Sequence, residues 1–107
     1  MTYSIYYFNQ NVQIEIMHLP PGLQARYIGL TSRMIEFGPN LGLPHTDSLG
    51  EGLFELRLKS LEGIARVFFC IMIEKKIMML HSFIKKTNKT PRKEIEIAKS
   101  RIKEIKS

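Results

Sequence analysis

The chain has 107 residues, 44% of them apolar, and carries 16 Lys and Arg against 10 Asp and Glu, a formal net charge of +6. That size and make-up fit one globular domain, 1–107, able to bury a core without cross-links. They exclude an internal disulfide, since Cys70 is the single cysteine. They also exclude a membrane span, because no apolar stretch approaches the roughly 20 residues required, and no signal-peptide pattern opens the chain. A cytoplasmic protein is expected, with Cys70 a buried, inert thiol inside the apolar run Val67–Met72.

Taken in chain order, Thr2 to Phe8 is rich in aromatic and β-branched residues and predicts a short strand. Asn9 to Leu19 fits two patterns. Val12, Ile14 and Ile16 alternate as in a strand, while Val12, Ile16 and Leu19 fall on one helical face. After Pro20-Pro21, the residues Leu23, Tyr27, Leu30, Met34 and Phe37 recur at helical spacing, with Pro21 in the first turn. Gly38-Pro39 stops that helix, the glycine offering a left-handed cap. Asn40 to Gly52, with three glycines and a proline, predicts a loop. Leu53 to Lys59 then alternates, Phe54, Leu56 and Leu58 on one face and Glu55, Arg57 and Lys59 on the other. Ile64 to Ile73 is almost continuously apolar and predicts a central strand buried on both faces. Lys76 to Ile84 follows as a further strand. Short connections at Ser60–Gly63 and Glu74-Lys75 predict antiparallel hairpins. Thr90 suits the N-cap and Pro91 the first position of a last helix, whose buried stripe is Ile95, Ala98, Ile102 and Ile105. The class is α+β, with an antiparallel sheet packed against helices.

Charge is unevenly spread. Residues 1–74 hold five basic and seven acidic groups, a net of −2, whereas residues 75–107 hold eleven and three, a net of +8. A polyanionic partner is expected, because cations placed on phosphates release condensed counterions. Arg66 interrupts an otherwise apolar strand, and arginine is rarely buried alone. Either an anion or an ion pair to Glu55 or Glu62 must compensate it. If the turn at Ser60–Gly63 is tight, Arg57 falls directly opposite Arg66 on one face, an opposition of like charges that an anion would relieve. Further on, Lys85, Lys86, Lys89, Arg92 and Lys93 crowd the end of the last strand and the start of the last helix, whose free backbone N–H groups suit phosphate. His81 sits on the last strand; His18 and His45 are isolated in sequence. No Cys/His cluster has zinc spacing, no acidic cluster suits magnesium, and there is no phosphate-cradling loop or dinucleotide fingerprint. No metal or cofactor is expected.

The order Gly52-Leu53-Phe54-Glu55-Leu56-Arg57, Ala65-Arg66-Val67, Leu80-His81-Ser82-Phe83-Ile84-Lys85-Lys86-Thr87 and Thr90-Pro91 resembles the HigB-like, phage-derived branch of the RelE/ParE toxins over about residues 3–105. The resemblance implies a curved antiparallel sheet with N-terminal helices and a C-terminal helix. It implies a toxin–antitoxin pair, a helix-turn-helix antitoxin as partner, and ribosome-dependent, metal-independent cleavage of mRNA. Arg57 and Arg66 match the arginines of the branch, and Lys85 and Lys86 its paired lysines; these four are the implied catalytic residues. His81, Lys89, Arg92 and Lys93 are the expected substrate-binding ones. The chain departs from some relatives in ending on Lys106-Ser107, without a terminal tyrosine or histidine as acid or base. Cleavage through the ribose 2′-hydroxyl needs charge stabilisation, which guanidinium supplies, and a proton acceptor, which it cannot be. Lys85 or Lys86 is the expected base, with His81 the alternative. Two other readings stand beside this one: a gyrase inhibitor on the same fold, and a non-toxic basic RNA-binding module.

Overall fold

A computed structural model describes residues 2–107. In chain order the elements are β1 (Ser4–Tyr7), α1 (Gln10–Met17), α2 (Pro21–Phe37), β2 (Thr46–Gly50), β3 (Leu53–Ser60), β4 (Gly63–Met72), β5 (Lys76–Lys85) and α3 (Arg92–Lys106). The strands form one five-stranded sheet in the order β1-β5-β4-β3-β2. The neighbours from β2 to β5 are antiparallel, but β1 pairs with β5 in parallel. The sheet is therefore mixed, where an all-antiparallel one was expected. The three hairpins force antiparallel pairing, whereas β1 is separated from the rest by two helices. Its residue pattern carries no information about direction.

Several elements follow directly from local chemistry. The open reading of residues 9–19 resolves as helix because Asn9 caps it, its Oδ1 accepting from the Val12 N–H at 2.9 Å. Val12 and Ile16, one turn apart, are then buried together. In α2 the stripe Leu23, Tyr27, Leu30 and Met34 is buried as expected, but Phe37, the last residue of the helix, is 75% exposed. Gly38 does have positive φ (102°), yet with ψ at 160° it leads the chain out extended instead of forming a left-handed helical cap. The segment expected as a loop, 40–52, contains β2. Its sequence Thr-Asp-Ser-Leu-Gly has no apolar alternation, and pairing with the β3 backbone makes it a strand. The last helix starts one residue later than expected: Pro91 occupies the cap position with extended backbone, and no side chain, Thr90 included, caps it.

Helices cover both faces of the sheet. On one face, α1 and α2 pack Ile16, Leu23, Tyr27 and Met34 against Leu56, Leu58, Ala65, Val67 and Phe69. On the other, α3 packs Ala98 and Ile102 against Leu53, Phe68, Cys70 and Leu80. Each such apolar side chain larger than alanine contributes about 1.5–3 kcal/mol when fully buried. The central strand β4 is buried on both faces from Ala65 to Cys70, as its continuous apolar run predicted. Among the described residues no helix is long and apolar enough to cross a membrane.

One irregularity decides what the α3 face of the sheet presents. Cys70 pairs with Met78 and Phe69 with Met79, but Phe68 pairs with His81, so Leu80 is an extra residue in β5. Such a bulge reverses the alternation beyond it. His81, Phe83 and Lys85 therefore face the α3 side, and Ser82 and Ile84 the other. Arg101 of α3 locks this bulge, its Nη1 donating to the Leu80 carbonyl at 2.5 Å. The same guanidinium lies over the Phe8 ring, 5.1 Å from its centroid.

Candidate active site

The Ser60–Gly63 turn is tight, and Arg57 pairs directly with Arg66 as the spacing predicted. On the α3 side of the sheet, the registers of β3, β4 and β5 arrange three rows: Glu55, Phe68 and His81; then Arg57, Arg66 and Phe83; then Lys59, Ile64 and Lys85. Successive rows are two residues apart, about 6.6–6.8 Å. Two of the four residues expected to be catalytic thus stand side by side in the middle row, and Lys85 lies one row away.

Arg66 is 5% exposed and Glu55 7%. Arg66 Nε lies 3.5 Å from Glu55 Oε1, but neither atom makes a hydrogen bond among the described residues. The guanidinium has one bond, from Nη1 to the carbonyl of Ala65 at 3.2 Å. The other carboxylate considered for it, Glu62, instead accepts from the Gly22 N–H. Burial chiefly lowers the Arg66 pKa, the Glu55 carboxylate opposes that shift, and the facing Arg57 adds to it. Glu55 thus compensates the charge of Arg66 without saturating its donors.

Arg57, Arg66, Lys59 and Ile64 line a pocket of about 310 Å³, completed by Arg26 of α2 and by Pro44 and His45 of the segment before β2. The backbone there is pinned by Arg57 N–H donating to the His45 carbonyl at 2.8 Å. No acidic residue lines this pocket. Arg26 and His45 escape a linear reading because they reach the pocket from distant segments. The only sequence signal is their residue type.

His81 has a partner that the sequence reading overlooked. Its Nε2 lies 2.7 Å from Glu94 Oε1, in the first turn of α3. Glu94 also places negative charge at that helix N-terminus, where the dipole favours it. The His81 ring is stacked on Phe83, centroids 6.0 Å apart, and Phe83 packs on Phe68 at 5.4 Å. The remaining cations stand apart. Lys86, Lys89, Arg92 and Lys93 are all exposed, on the turn after β5 and the first two residues of α3. None of them lines the pocket. Cys70 is buried and its thiol pKa is raised, mainly by burial, so it is held as an unreactive thiol. Among the described residues no group of three or more His, Cys, Asp or Glu side chains is placed to hold a metal ion.

The chemistry that this arrangement offers is a cationic seat for an oxyanion. Guanidinium is planar, always charged and able to pair with two oxygens at once, which suits carboxylate and phosphate groups alike.

The fold has known counterparts. The archaeal RelE–RelB complex from Pyrococcus horikoshii OT3 superposes with a TM-score of 0.59 at 20% identity, over 78% of this chain and 96% of that one. A mutant of E. coli toxin RelE in the free state superposes with a TM-score of 0.64 at 14% identity, over 98% of this chain and 99% of that one. At these identities the likeness shows the fold alone, an α+β fold like that of the RelE structures. A search of curated protein sequences finds no match. The family model described as Phage derived protein Gp49-like (DUF891) matches residues 14–103, which include β2 to β5 and nearly all of α3, and the chain belongs to that family.

Proposed function

We propose that this protein is the toxin of a type II toxin–antitoxin system, of the HigB-like kind, and that it cleaves mRNA on the ribosome. The observation that carries this reading is the Arg57–Arg66 pair, opposed across two strands, with both arginines lining a pocket for which no acidic lining residue is found among the described residues. Such a pair suits a phosphorane, on which negative charge grows during the reaction. The ribose 2′-hydroxyl loses its proton and attacks the adjacent phosphorus. The bond to the 5′-oxygen breaks, that oxygen takes up a proton, and a 2′,3′-cyclic phosphate remains. No metal is needed for these steps.

Proton transfer falls to Lys85, Lys86 or His81. Of these, His81 is the one held in a fixed orientation, by Glu94. Lys89, Arg92 and Lys93, together with Lys86, form an exposed basic edge suited to the phosphates of mRNA or ribosomal RNA. The ribosome supplies the in-line geometry that so sparse a site does not impose by itself. The working unit is a single cytoplasmic domain, silenced by a cognate antitoxin with a helix-turn-helix domain.

Induced expression in a bacterial host tests the reading. Growth should arrest with the native chain and continue with Arg66→Ala, while circular dichroism shows both folded. Arrest by a folded Arg66→Ala protein would contradict it and direct attention to a binding target such as gyrase.

A further inference from the structure

The pocket beside Arg57 and Arg66 extends past the sheet face, and its far wall is not made of sheet residues. Arg26 comes from α2, and Pro44 and His45 come from the segment before β2. Cations thus approach one space of about 310 Å³ from two directions. The rest of the lining has a different character. Ile64, Pro44 and the imidazole of His45 are flat or apolar. A site for bare phosphate has no use for such a wall, whereas a nucleotide presents both a phosphate and a flat base. Pockets near 300 Å³ lie at the lower end of the small-ligand range, which suits a single nucleotide.

We infer that this pocket seats one nucleotide unit of an RNA chain, with its phosphate on Arg26, Arg57 and Arg66 and its base against Ile64, Pro44 and the His45 ring. Arg26 is then a substrate-binding residue contributed from outside the sheet. The pocket exists in the free protein, so this binding needs no ribosome. The inference rests on the reading above that the partner is RNA, but not on cleavage.

The test is calorimetric titration of the full chain with adenosine 3′-monophosphate, inorganic phosphate and adenosine, followed by the trinucleotide ApApA. The monophosphate should bind at least about tenfold more tightly than either phosphate or adenosine alone, since each supplies half of the contacts. The trinucleotide should bind more tightly still. Arg26→Ala should weaken the monophosphate about tenfold, the loss of one charge-assisted contact. Arg26 is exposed on a helix that alanine favours, so this variant folds. Amide chemical-shift changes should centre on His45 and Ile64.

Phosphate binding as tightly as the nucleotide would overturn the base-seating wall, and an unaffected Arg26→Ala would overturn the role of Arg26. A trinucleotide no tighter than the monophosphate would overturn the assignment to an RNA chain. Nucleotide binding without any mRNA cleavage would sink the endonuclease and leave this inference standing. Cleavage without nucleotide binding would do the reverse.

Discussion

Two guanidinium groups directly opposed on neighbouring strands repel each other, and the free protein carries that cost. Arg57 and Arg66 are so placed, and Arg57 contributes to lowering the Arg66 pKa. Removing the more exposed member should therefore stabilise the fold while damaging the site. Arg57→Ala is expected to raise the free energy of unfolding by about 0.2–1 kcal/mol, read by urea titration, and to lower mRNA cleavage at least tenfold. Lower stability in this variant would mean that packing of its side chain outweighs the repulsion. Tyr27 gives a residue-scale prediction in pH. Its hydroxyl is buried and bonded to that of Tyr7 at 2.9 Å. Burial, with the Tyr7 bond adding, pushes its pKa far above the ordinary phenol range. The folded value being the higher, this contribution to stability is complete below about pH 10, the value in the unfolded chain. It is lost progressively above that pH. Tyr27→Phe should remove that alkaline loss in thermal melts between pH 8 and 11, and an unchanged profile would assign the loss to other groups. The facing of Arg57 and Arg66 was legible in the sequence because a tight turn at Ser60–Gly63 fixes the pairing of every residue behind it. Arg26, His45 and Glu94 were not, because nothing local in the chain connects them to the strands they meet.

The elements show what periodicity can and cannot carry. Apolar spacing located α2, α3 and the strands β3 to β5, since burial of one face is what stabilises each of them. It missed β2, whose residues are mostly polar or glycine and whose strand conformation is imposed by β3. It gave no direction for β1. It also missed the bulge at Leu80, an insertion that changes which side chains share a face without changing composition. That bulge brings His81, Phe83 and Lys85 to the side of Arg57 and Arg66. Arg101→Ala removes the hydrogen bond to the Leu80 carbonyl and the cation over Phe8. It is expected to cost about 1–3 kcal/mol of stability. Hydrogen exchange should quicken at Leu80–Ser82 before the rest of β5, and cleavage should fall with it. Uniform exchange along β5 would show that strand pairing alone holds the bulge.

At the scale of the whole molecule, the uneven charge finds a structural form. The acidic balance of residues 1–74 is spread over helices, strands and the turns between strands, while the basic surplus of residues 75–107 lies on the start and end of β5, the turn after it and α3. Of these cations Lys85 stands one row from Arg57 and Arg66, whereas Lys76 lies at the opposite end of β5 and Lys99, Lys103 and Lys106 line a separate pocket. The membership of the chain in the Gp49-like family, and its likeness in fold to RelE structures, rest on this same scaffold. The role proposed for Arg66 in mRNA cleavage is tested most directly in a cell-free translation reaction. Purified protein is added with and without ribosomes, and mRNA ends are mapped by primer extension beside an Arg66→Ala control. New ends that require both ribosomes and Arg66 are expected. Intact mRNA under complete translation arrest, or cleavage that persists in the Arg66→Ala protein, would contradict it.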